Sequence, residues 1–187
     1  MPRDLNIGNY DAGGRLQITT EGVRGTYAIS AIAVTPAATP TDLVTIFGSA
    51  TKTVRIKSVT VSGCAGAGTA GSMDVSLVKR SAVNTTGTSS APTIVKFDSA
   101  DDAATATVKQ YSANASALGA GVTLATKNLN LGLAGAGGTV NFEFANCNDK
   151  ALVLRGVLQG LAINLNGAAV PSGGVLTYAI EWEEDVS

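Results

Sequence analysis

Beyond Thr26 the chain alternates apolar and polar residues in short runs with a period of two. In 175–183, Tyr178, Ile180 and Trp182 fall in one phase and Ala179, Glu181 and Glu183 in the other. That is the pattern of a strand with one face on a core and one toward water. Run 72–79 sets Met73, Val75 and Leu77 against Asp74, Ser76 and Lys79, with Val78 out of phase. Run 52–62 alternates twice: Val54 and Ile56 against Arg55 and Lys57, then Val59 and Val61 in the opposite phase. A flip inside one run predicts a β-bulge or a strand that changes sheets. Further strands are expected at 27–34, 43–47, 94–97, 105–112, 122–126, 139–144, 151–154 and 159–165. Gly, Asn and Pro turns separate them, which predicts an all-β antiparallel sandwich of jelly-roll type. The one helical candidate is 98–104, with Ser99 as cap and Asp101 and Asp102 in its first turn. The predicted interior is Val54, Ile56, Val75, Leu77, Phe142, Phe144, Leu152, Leu154, Ile163, Ile180 and Trp182.

Residues 1–25 read differently. Gly8, Gly13, Gly14, Gly22 and Gly25 interrupt any long element, so the chain divides into an N-terminal arm, 1–25, and a sandwich domain, 26–187. The domain is large enough to hold a core without a metal or disulfide staple. Cys64 and Cys147 lie in turns and read as ordinary thiols rather than a disulfide framework. Residues 1–15 lack the apolar core of a signal peptide, and the run 27–34 is far too short to span a membrane. The expected compartment during assembly is therefore the cytoplasm.

Composition narrows the function. Charged residues make up 14% of the chain, against about 25% for an average domain. With 13 basic and 14 acidic residues and no basic stripe, nothing favours a nucleic-acid partner. A surface so poor in charge is expected to be covered by neighbours.

Candidate chemistry thins out on inspection. The chain has no histidine, which removes histidine-based triads and imidazole metal sites. Gly66-Ala67-Gly68-Thr69-Ala70-Gly71 spells a dinucleotide fingerprint, but an alternating strand follows where a helix is required. Ser49-Ala50-Thr51-Lys52 matches the acyl-enzyme S-x-x-K but sits between two strands. Two acidic groups, Asp98/Asp101/Asp102 and Glu181/Glu183/Glu184/Asp185, read as a helix cap and a solvated tail rather than a hydrolase pair. Asn84-Thr85-Thr86 and Asn114-Ala115-Ser116 are formal glycosylation acceptors. The reading is a protein that is not an enzyme and binds no cofactor or metal.

Two stretches carry a resemblance. The segment 45–57, TIFGSATKTVRIK, and the segment 154–167, LRGVLQGLAINLNG, running on to IEWEE at 180–184, resemble a widespread group of tailed-bacteriophage and prophage virion structural proteins. The likeness covers most of 26–184 and not the arm. It implies a jelly-roll component of the virion. The leading expectation is a capsid decoration, or cement, protein on the capsid surface, bound to the major capsid protein and working as a homotrimer, with no nucleic-acid or membrane partner. The alternative is a tail or fibre component that binds a receptor or glycan, for which Tyr111 is the one aromatic expected at a loop edge. On the leading expectation the arm supplies the capsid or subunit contacts: Arg3, Asn6, Tyr10, Arg15 and Arg24.

Overall fold

The computed structural model describes residues 24–66, 69–133, 136–144, 151–171 and 173–186. Among them the secondary structure is twelve strands and no helix. In chain order these are β1 (Gly25–Val34), β2 (Asp42–Phe47), β3 (Lys52–Cys64), β4 (Gly71–Arg80), β5 (Ser89–Ser90), β6 (Val95–Lys96), β7 (Thr107–Tyr111), β8 (Gly121–Leu131), β9 (Gly138–Glu143), β10 (Leu152–Leu154), β11 (Gly160–Asn164) and β12 (Val175–Val186).

One sheet runs β10-β3-β12-β1-β6, with β9 also on β3, and the other runs β5-β7-β2-β11-β4-β8. All pairings are antiparallel and nested: β1 with β12, β2 with β11, β3 with β9 and β10, β4 with β8. A long hairpin rolled up so that its successive strand pairs alternate between two sheets gives this order, which is the jelly roll. The expected fold class is the observed one.

The alternating runs land where their phase puts them. On β12, Tyr178, Ile180 and Trp182 are buried. On β3, the register against β12 slips between Ile56 and Ser58, leaving Lys57 as the extra residue. Thus Val54, Ile56, Val59 and Val61 all face the core, which explains the phase flip. Nine of the eleven residues predicted inside are buried; Phe144 and Leu152 are half-buried and pack against the core.

Three expectations need correction. The segment 98–104 is a turn, not a helix. Its first residue, Asp98, holds it: Oδ1 accepts from the Ala100 N–H at 2.8 Å and the Asp98 carbonyl accepts from the Asp101 N–H at 3.1 Å. An aspartate that engages its own backbone in this way offers an alternative to a helical turn, so the cap assigned to Ser99 does not form. The strand expected at 122–126 extends to Leu131, because the polar Asn128 and Asn130 alternate with the buried Leu129 and Leu131. Finally, Val78 is buried although it shares a face with Arg80, away from Leu77. That outer face is covered rather than open to water.

The cover is the excursion between β4 and β8, residues 81–120. Its strands β7 and β5 extend the second sheet beyond β2, and β6 pairs with β1 at the edge of the first. Its loops lie over the outer face of the second sheet, where all six residues of β2 are buried.

Candidate functional site

Under that cover sits an ion pair that the sequence does not advertise. Arg80 Nη2 and Nε donate to the two carboxylate oxygens of Asp42 at 2.7 and 3.2 Å. Asn84 Nδ2 and Asn164 Nδ2 donate to the same carboxylate at 2.8 and 2.6 Å. Arg80 Nη1 donates to the Gly119 carbonyl, whose own N–H donates to Asn84 Oδ1. Only glycine fits at 119, because a Cβ there would lie 1.8 Å from the Ala82 carbonyl oxygen. Arg80 and Asp42 are both buried, and each donor or acceptor is spent inside the network. It ties β2, β4 and β11 to the excursion. It is structural, and Asn84 is engaged there. The second formal glycosylation acceptor, Asn114, is likewise engaged: Oδ1 accepts from the Thr41 N–H and Nδ2 donates to the Thr39 carbonyl.

The two acidic groups meet at one end of the sandwich. There the start of β1, the end of β12 and the 98–102 turn line a cleft of about 420 Å³. Its floor is Tyr27, stacked on Trp182 with ring centroids 5.8 Å apart. The Tyr27 hydroxyl donates to the Asp102 carbonyl at 2.9 Å. Burial, helped by Glu184, Asp101 and Asp102 nearby, raises its pKa above the ordinary phenol value. Asp101 Oδ2 accepts from the Thr26 N–H, and Lys52 Nζ lies 3.8 Å from Asp102.

Glu184 corrects the reading of a solvated tail: it is buried. Its carboxylate accepts from the Thr105 N–H and hydroxyl, the Ala106 N–H and Trp182 Nε1, at 2.7–3.0 Å. The signal was available, because continuing the alternation of Tyr178, Ile180 and Trp182 by two places puts Glu184 on the inward face. All four donors converge on this one carboxylate, which anchors 105–106 to β12.

Across the outer face of the first sheet, Glu183 and Asp185 pair with basic residues on both flanks. Arg24 reaches Glu183 at 3.4 Å and Asp185 at 3.2 Å; Arg55 reaches Asp185 at 3.2 Å and Lys57 reaches Glu183 at 3.1 Å. Arg24, the one arm contact among the described residues, is half-exposed and paired within its own chain. Arg3, Asn6, Tyr10, Arg15 and Cys147 lie outside the described residues. Cys64 is a free thiol.

The remaining chemical motifs resolve into structure. Ser49 Oγ accepts from the Thr51 and Lys52 N–H groups at 3.0 and 3.1 Å, fixing the turn between β2 and β3. A strand, β4, begins at the last glycine of the dinucleotide-like sequence. Tyr111 is buried, not at an exposed loop edge. No cluster of three potential metal ligands occurs among the described residues.

Exposed large apolar side chains occur at Ile32, Val95, Phe97, Leu118 and Leu133, and a further group lies elsewhere on the same end as the cleft. The last row of the second sheet aligns Phe47, Gly160, Arg80 and Gly121, and the short turn from Phe47 to Lys52 joins it to the end of the first sheet where β1 starts. Beside this row Val122 is 71% exposed and Leu124 43%, and Val157 and Leu158 in the β10–β11 turn are 53% and 58% exposed. Val122, Leu124, Lys79 and Gln159 line a shallow hollow of about 410 Å³. No sequence rule singled these residues out, because each is an ordinary apolar member of a strand or turn and only the register leaves them uncovered. Comparison of the chain with protein-family models, with curated proteins and with solved structures found no match.

Proposed function

We propose that the protein is a virion structural component of a tailed bacteriophage, a decoration protein that binds the outside of the capsid as a homotrimer and holds neighbouring capsomers together. The observation that carries this reading is the uncovered apolar rim of Val122, Leu124, Val157 and Leu158, set at the end of the sandwich from which the arm leaves. Large apolar side chains left in water at one site are characteristic of a contact surface. The polar groups that would do chemistry are instead used to hold the fold: Glu184, Asp42, Arg80 and Ser49 have their hydrogen bonds inside the chain. The resemblance of 45–57 and 154–184 to virion proteins points the same way. The work done is mass action: a protein that binds only the assembled shell stabilises the shell, without making or breaking a covalent bond.

The test adds purified protein to heads that lack it. Saturable binding of hundreds of copies per head and a raised temperature of head disruption are expected. A chain found only in tails, at a few copies per particle, would replace this reading by a tail or fibre role.

A further inference from the structure

β8 is the terminal strand of its sheet. It pairs with β4 on one side; on the other, the described residues provide only the single bridge Leu131–Gly137 at its far end. Among the described residues the stretch 121–127 is therefore an open sheet edge, with Val122 and Leu124 exposed along it. Lys127, the one charged residue of β8, does not guard this edge, since its Nζ bonds the Asn141 carbonyl and lies 5.0 Å from the Phe142 ring centre. An unguarded edge of this kind is a template for another strand.

We infer that this edge receives residues 15–20 of the N-terminal arm of a neighbouring copy, with Leu16 and Ile18 against Val122 and Leu124. Three observations select this occupant. Residues 15–20, RLQITT, alternate as a strand with one apolar face. The arm departs at Gly25, which pairs with Glu184 at the same end of the sandwich as Gly121, and the five residue steps from Thr20 to Gly25 span about 17 Å when extended, which confines the donor to a copy that abuts this end. Third, the register between β4 and β8 slips between Thr123 and Ala125, leaving Leu124 as a bulge. A bulge bends the strand and opposes direct pairing of two β8 edges, whereas a segment of six residues follows the bend. The inference takes from the proposed function only that copies of the chain adjoin one another.

Cross-linking tests it on purified full-length protein without heads, so that failure here and failure to bind heads are separate results. In a Cys64→Ser, Cys147→Ser background, chains carrying Ile18→Cys are mixed with chains carrying Val122→Cys and oxidised. A disulfide-linked heterodimer is expected. Its absence, or an intrachain bond as the sole product when one chain carries both cysteines, overturns the inference. As a second readout, Ile18→Asp in the otherwise unaltered chain is expected to speed amide exchange at 121–127 about tenfold, the value of one lost hydrogen bond, with exchange in β12 unchanged. Equal exchange at 121–127 in both proteins also overturns it.

Discussion

Asp42 and Arg80 meet across 38 positions of sequence, and Asn164 joins them from 122 positions beyond Asp42. Nothing local marks such a cluster, so it was illegible before the fold. A buried pair of this kind adds little net stability, but breaking it strands a charge without water. Arg80→Ala is expected to lower the unfolding free energy by about 3–5 kcal/mol, read from the midpoint of urea denaturation. Removing both charges with Asp42→Leu and Arg80→Met is expected to cost less than the two single changes added together. Tyr178 offers a second single-residue test. Its hydroxyl donates to Gln110 Oε1 at 2.6 Å, and burial pushes its pKa up to about 12. The folded state therefore holds the phenolic proton more tightly than the unfolded chain. Its contribution to stability is complete below the unfolded phenol value near 10 and is lost as pH rises from there toward 12. Tyr178→Phe is expected to be less stable at pH 7 and to lose less stability between pH 9 and 11 than the unaltered protein, measured by denaturant melts across that range.

At the scale of elements, β3 and β12 were legible because burial on one face forces a period of two. Even the bulge at Lys57 showed as a change of phase. The strands at 43–47 and 94–97 were expected from apolar and β-branched content rather than from alternation, and the surroundings explain why. β2 is buried on both faces because the excursion 81–120 covers one of them, so it reads as an apolar run without alternation. β6 falls within the expected strand 94–97, whereas β5, two polar residues long, carries no period and was not foreseen. The turn at 98–102 looked helical because its aspartates suit a helix start, yet Asp98 and Asp101 bond backbone groups of the turn and of β1 instead. The clamp between Thr105–Ala106, just after this turn, and Glu184 of β12 can be tested directly. Glu184→Gln replaces an acceptor of four hydrogen bonds with a group that must present two N–H donors on one side. A loss of about 1.5–3 kcal/mol is expected, together with faster proteolytic cleavage in 97–106. Unchanged cleavage would mean that the excursion is held by the Asp42 network alone.

The whole molecule is organised by pairings between distant parts of the chain. β1 pairs with β12, and β12 also pairs with β3, so one strand near the C-terminus completes the middle of the first sheet. Folding must close that long loop before the core forms, which places the protein among slow folders, with rates of about 1 s⁻¹ or less in stopped-flow refolding. Removing 175–187 is expected to abolish the cooperative unfolding transition, since β1 would lose its main partner and Trp182 would leave the core. The sandwich class was readable from the count of short alternating runs. The order of strands was not, because pairing partners this far apart leave no mark on either segment. The same limit hid the candidate contact surface: Val122 and Gln159 line one hollow only through the register of β8, β4 and β11.

The pairing of Gly25 with Glu184 has a practical consequence for attaching peptides to the chain. A peptide appended after Val186 would leave the sandwich beside the start of β1, which is the side that faces a neighbour in the proposed arm exchange. The turns at the opposite end, including the one at Asn166 and Gly167, with φ of 57° and 70°, in the connection from β11 to β12, lie away from it. Under the proposed arm exchange, an epitope inserted there would stay clear of the neighbouring copy, while the same epitope at the C-terminus would compete with it.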